Sequence, residues 1–159
     1  LVLLPAGKRE GFVVYADGTN IDDAGIRHVA GLADLTNLYL TGTEVTDDGL
    51  KHLVGHSRLA HLFVGPRTTD AGMAHVATLP SLAHLAVFGS QVTNRGIAAL
   101  KDSRTLQQVS VYDTSITLEG LGDLAKCGLK NISVSRATDA QLVQLRHWPD
   151  LSGFAVSEI

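Results

Sequence analysis

LTNLYLTGTEVTDDGLKHL (residues 35–53), LAHLFVGPRTTDAGMAHV (residues 59–76) and LAHLAVFGSQVTNRGIAAL (residues 82–100) are three versions of one unit. Their opening leucines, with Leu106, Leu129 and Leu151, stand 24, 23, 24, 23 and 22 positions apart. An earlier copy begins near Gly11, since GTNIDDAGIRHV (residues 18–29) lines up with GTEVTDDGLKHL (residues 42–53). Six copies therefore fill the chain from residue 11, and a truncated seventh closes it at residue 159. A fixed period of this size marks a solenoid, in which each repeat touches only its neighbours. Residues 1–10 form a flanking segment. With no initiator methionine and a stop just after a seventh strand, the chain is expected to be a piece of a longer protein.

Within one copy the pattern changes period once. Leu38 and Leu40 alternate with Asn37, Tyr39 and Thr41, the two-residue rhythm of a half-buried strand. Their equivalents are Val14/Ala16, Leu62/Val64, Leu85/Val87, Val109/Val111, Ile132/Val134 and Phe154/Val156. Successive copies run the same way, so the sheet is expected to be parallel, each crossover returning through a helix. That helix opens at Thr46-Asp47, where a short oxygen-bearing side chain can accept from the free amides of the first turn. The recurrent Asp23, Asp47 and Asp70 are read as part of the same capping. Leu50, Leu53 and His56 follow at helical spacing and should face inward with Ile26/Val29, Met73/Val76, Ile97/Leu100, Leu121/Leu124 and Leu142/Leu145/Trp148. Glycine recurs in the first helical turn (Gly25, Gly49, Gly72, Gly96, Gly120) despite its poor helix propensity. Close approach of the neighbouring repeat's backbone is the expected reason. The sixth copy carries Gln141 there instead.

The pattern LxxLxLxxTxVTDxGLxxL resembles the leucine-rich repeat family, in a bacterial-type variant similar to the cysteine-containing class of F-box proteins. The resemblance covers residues 11–159. It implies an α/β horseshoe with a parallel sheet on the concave side and helices on the convex side. It also implies a scaffold that binds other proteins rather than an enzyme. Two departures stand out. The turn that holds asparagine in many members holds Thr19, Thr43, Ser90 and Thr114 here. Gly65-Pro66-Arg67 loses that position and the sixth copy is shortened around Arg136, so the ladder of turn hydroxyls should break twice.

On the outward face of the strands the residues fall into columns. One contains Asn37, His61, His84, Gln108 and Asn131; the next Tyr15, Tyr39, Phe63, Ala86, Ser110 and Ser133; the third Asp17, Thr41, Phe88, Tyr112 and Ser135. Five of only eight aromatic residues (Tyr15, Tyr39, Phe63, Phe88, Tyr112) lie here, stepping diagonally from the second column to the third. A contiguous apolar strip of this kind marks a partner site for a protein or peptide, with His61 and His84 beside it as polar contacts. Cross-strand stacking that merely stabilises the sheet is the plain structural alternative. A spacer or self-assembly segment that stacks through its ends is the alternative function.

Other chemistry finds little support. A formal charge of −3 gives no basic field for nucleic acid. No apolar run approaches the length of a membrane span. The single cysteine, Cys127, excludes an internal disulfide and a multi-cysteine zinc site. His28, His52 and His75 repeat on successive helices, too far apart to share one ion. His56 falls in the inward column and is read as a partly buried histidine bonded to a turn carbonyl. No nucleophile elbow or phosphate-cradling loop occurs, so neither a cofactor nor a metal is expected.

Overall fold

The computed structural model describes the backbone of residues 2–4 and, with side chains, residues 11–157. The rest of the flanking segment and the end of the seventh copy lie outside the described residues. One sheet of eight strands runs in sequence order: β1 (Val2–Leu4), β2 (Phe12–Tyr15), β3 (Leu35–Tyr39), β4 (His61–Val64), β5 (His84–Phe88), β6 (Gln108–Tyr112), β7 (Asn131–Val134) and β8 (Gly153–Val156). Strands β2 to β8 are parallel, as each strand–helix copy repeats in the same sense. Strand β1 pairs antiparallel with β2, Leu3 opposite Val14. It lies in the flanking segment, where the repeat pattern offers no warning of a strand.

Helices α1 (Asp23–Val29), α2 (Asp47–Leu50), α3 (Asp70–Val76), α4 (Asn94–Ile97), α5 (Leu118–Leu121) and α6 (Asp139–Leu142) fill the crossovers between β2 and β8. Four of them are a single α-turn continued by 3-10 turns, with only α1 and α3 reaching seven residues. The result is a repeating α/β architecture consistent with a solenoid. Leu38 and Leu40 are fully buried, as are Leu62/Val64, Leu85/Val87 and Val109/Val111, so the strand phase read from the alternation holds. It fades at the last strand, where Phe154 is half-buried and Val156 is 47 % exposed. The inward helix column fades there too, since Leu142 is exposed although Trp148 remains buried.

The turn after the strand carries a left-handed residue in the first, second, fourth and fifth copies. Gly18, Gly42 and Gly89 supply it at φ 66°, 69° and 55°, conformations that glycine adopts without steric penalty. The fifth copy puts Asp113 there at φ 51°. The turn hydroxyls donate back to the strand end in the first two copies, Thr19 to the Ala16 carbonyl at 2.6 Å and Thr43 to that of Leu40 at 2.7 Å.

Two details revise the sequence reading. The helix caps are Thr46, Thr69, Thr93, Thr117 and Thr138, whose side chains accept from first-turn amides, and Asp22 in the first copy. The aspartates that follow do not cap their own helix. Asp23 reaches the next repeat and accepts from the Thr46 amide at 2.8 Å and its hydroxyl at 2.7 Å. Asp47 does the same to Thr69, Asp70 to Thr93, and Asn94 exchanges two bonds with Thr117. The glycine column answers this clamp: a Cβ on Gly49, Gly72, Gly96 or Gly120 would overlap the side chain of Asp23, Asp47, Asp70 or Asn94 respectively. A side-chain carboxylate or amide, rather than a backbone, is the main body that approaches. The fifth copy has Leu118 in place of the clamp residue and buries it, and the following copy has Gln141 in place of glycine. Clamp and glycine are lost together, one repeat apart.

His56 behaves as the sequence suggests. It is 8 % exposed, and its Nε2 lies 2.9 Å from the carbonyl oxygen of Ala30 in the preceding repeat. That contact requires the tautomer with its hydrogen on Nε2.

Candidate functional site

The parallel register sets rung upon rung on the sheet face turned away from the helices. Tyr15 pairs with Tyr39, Tyr39 with Phe63, and Phe88 with Tyr112, while Phe63 is opposite Ala86. The rings form one unbroken row. Centroid distances are 4.8 Å for Tyr15–Tyr39, 4.5 Å for Tyr39–Phe63, 6.2 Å for Phe63–Phe88 and 5.0 Å for Phe88–Tyr112. The longest step is the diagonal one, from the second column to the third, which the small Ala86 permits. Interplanar angles of 14–38° mean that the rings lie roughly face to face across the strands. Their faces are largely spent on one another and their edges are offered to solvent. Tyr15 is the most open, at 46 %, and Tyr39, Phe63, Phe88 and Tyr112 are half-buried.

Beside the row, His61 and His84 pair in register with ring centroids 4.3 Å apart. Partial burial pushes both imidazoles below the ordinary histidine value, and the neighbouring charge of His84 pushes His61 further. Burial thus disfavours the charged form of both, and protonating them would set two like charges side by side. Asn37 and Gln108 flank them in the same column. Asn37 donates to the Tyr39 hydroxyl at 3.4 Å, which ties the amide column to the ring row.

All seven candidate residues (Tyr15, Tyr39, Phe63, His61, His84, Phe88, Tyr112) thus fall on one face, across β2 to β6. Ala86 and Ser110 lie in the outward column yet are only 3 % and 7 % exposed, so that part of the face is floor rather than contact surface. The later rungs end the row: Asn131 is exposed, and Ser133 and Ser135 are half-buried. No lysine or arginine occurs in the outward columns of β2 to β6, and Asp17 is their one carboxylate.

Among the described residues no cluster of three or more histidine, cysteine, aspartate or glutamate side chains is placed to hold a metal. Cys127 donates to the carbonyls of Leu100 and Lys101 at 3.5 and 3.2 Å, and burial raises its thiol above the usual value, so it is a poor nucleophile. No described helix is long and apolar enough to cross a membrane. A scan against protein-family models finds no match, and neither does a search of curated proteins.

Proposed function

We propose that this chain is a leucine-rich-repeat solenoid, a short horseshoe whose concave sheet binds a protein or peptide without catalysis. The observation that supports it is the continuous row of five rings, Tyr15 to Tyr112, on the sheet face that no described helix covers. Aromatic rings of this kind supply large contact area at low entropic cost. A surround of amides and imidazoles with Asp17 as its one carboxylate suits a partner that brings apolar groups and backbone hydrogen bonds rather than charge. Tyr39 and Phe63 lie mid-row and are the expected hot spots, each worth about 2 kcal/mol. The test is affinity capture with intact chain and with Tyr39→Ser/Phe63→Ser, followed by direct binding of the recovered protein. Loss of binding with an unchanged far-UV CD spectrum supports the reading. Equal binding by the double variant refutes it.

A spacer or self-assembly role is the second reading, and one observation favours it. Asp139 stands at the clamp position of the sixth copy, and its carboxylate forms no hydrogen bond or ion pair with any described residue. Leu142 and Val143, three and four residues on, are exposed, as is Val156 on the last strand. On this reading association survives the ring substitutions and is lost when residues 151–159 are removed.

A further inference from the structure

We propose that a cavity at the carboxyl ends of β6 and β7 binds a small zwitterion, an α-amino acid whose ammonium group meets Asp113 and whose carboxylate meets Arg136. The cavity is separate from the ring row, although its lining residues Val111 and Asp113 flank Tyr112 in sequence. It measures about 320 Å³ and is lined by Val111, Asp113, Ile116, Val134, Ser135 and Arg136, with Thr114 completing the wall. That is the lower end of the range for small-molecule sites.

Its origin is legible in the repeat. Five residues separate Val111 from the cap Thr117, whereas three separate Val134 from the cap Thr138. The sixth copy is thus two residues shorter in this turn and carries Ala137 at the position of Ile116, and the cavity lies beside the shortened turn. Its floor is apolar and its rim is polar.

Three features of the rim point to a ligand that carries both charges. Asp113 and Arg136 line the same cavity yet pair neither with each other nor with any other described ion. Asp113 holds its left-handed turn where the first, second and fourth copies use glycine, so a carboxylate is kept at a position that disfavours side chains. The hydroxyls of Thr114 and Ser135 accept from the amides of Ile116 and Asp113 at 3.3 and 3.1 Å but donate to no described residue. Their hydrogens are free for an acceptor in the cavity, unlike those of Thr19 and Thr43, which are spent on strand carbonyls. A guanidinium and two hydroxyl donors receive a carboxylate, Asp113 receives an ammonium group, and the apolar floor receives a short side chain.

The test is an NMR titration with L-valine, N-acetyl-L-valine and L-valinamide, each followed at the amides of residues 113–114 and 135–136. Because both charged groups are exposed, a dissociation constant on the order of 1 mM is expected for L-valine. Either blocked form should bind at least about tenfold more weakly, as should L-valine to Asp113→Asn or Arg136→Gln. Asparagine tolerates the left-handed turn, so Asp113→Asn removes the charge and leaves the fold. Should a variant fail to fold, the two blocked ligands still decide. No saturable shift by ~20 mM L-valine overturns the proposal. So does undiminished binding of either blocked form, or of L-valine to either folded variant.

Discussion

Gly72→Ala tests the link between repeats most sharply, because its effect should change sign with the residue at position 47. In the intact chain the Asp47 carboxylate accepts from the Thr69 amide at 2.9 Å and from its hydroxyl at 2.5 Å. A methyl group at position 72 would overlap Asp47 Oδ1 and come within 3.0 Å of Leu50 Cδ1. The leucine tip can swing aside, but the carboxylate cannot move without giving up Thr69. Hydrogen bonds to a charged acceptor contribute about 1.5–3 kcal/mol each, and Thr69 is half-buried, so water replaces part of the loss. Releasing the clamp should therefore cost about 2–3 kcal/mol. Alanine returns about 0.8–1 kcal/mol through its better helix propensity. The net expectation for Gly72→Ala is a destabilisation of about 1–2 kcal/mol.

With Asp47→Ala already in place the obstruction is gone. The same Gly72→Ala change should then be neutral or stabilising by up to about 1 kcal/mol. The coupling between the two positions is thus about 2 kcal/mol, large for a pair that shares no hydrogen bond. Urea unfolding of the four proteins measures it, followed by far-UV CD and by the fluorescence of Trp148. Coincidence of the two signals establishes that one transition is being measured, which repeat arrays do not guarantee. An equal cost of Gly72→Ala in both backgrounds, or a stabilising effect in the intact chain, would refute the clamp.

Three other outcomes follow from the geometry. The imidazoles of His61 and His84 should titrate below the ordinary 6.5 in the folded chain, and His84→Gln should raise the midpoint of His61 part of the way back, because burial remains. Since the folded chain then binds fewer protons than the unfolded one, their effect on stability is complete above pH 6.5 and is lost as pH falls through the lowered midpoints. One-dimensional NMR of the ring protons and urea midpoints between about pH 5 and 7 check both statements. His56→Ala should cost about 2–3 kcal/mol by removing a buried side chain and leaving the Ala30 carbonyl without its donor, whereas the more exposed His52→Ala should cost under about 0.5 kcal/mol. Asp113→Gly should raise stability by about 0.5–1 kcal/mol by relieving the left-handed turn, while abolishing L-valine binding; a loss of stability would show that the turn is not strained.

The alternation around Leu38 and Leu40 gave away strand phase, and with it the face on which Tyr39 lies, because a two-residue period admits only two faces and the leucines take one. His56 was legible for the same reason, as a polar residue in a column of leucines that must find a partner inside. The clamp was harder to see. A threonine followed by an aspartate satisfies the local rules of helix capping so well that nothing in one repeat asks for a second explanation. The aspartate's reach into the next copy is a property of stacking, and its trace is spread over two repeats: Leu118 where the clamp residue should be, and Gln141 where the following glycine should be. Matched exceptions one period apart were the available signal. Strand β1 had no such trace, since it belongs to no repeat and pairs in the opposite direction.

The clamp also bears on how freely the ring row can vary. Register between repeats is fixed twice on the helix side, by the buried leucine columns and by Asp23, Asp47, Asp70 and Asn94, and once in the plane of the sheet by the backbone ladder. None of these passes through the outward columns. Asn131, Ser133 and Ala155 occupy that face in β7 and β8, where the strands remain paired in the same register without a ring on that face. Aromatic side chains are therefore not required to hold this sheet together, and a stacking contribution of ~0.2–1 kcal/mol per pair is an addition to a ladder already set. Five of the chain's eight aromatic residues gather where the fold needs none of them. That excess over structural need, rather than exposure alone, is the reason to look for a partner on β2 to β6 and not on the polar rungs that follow.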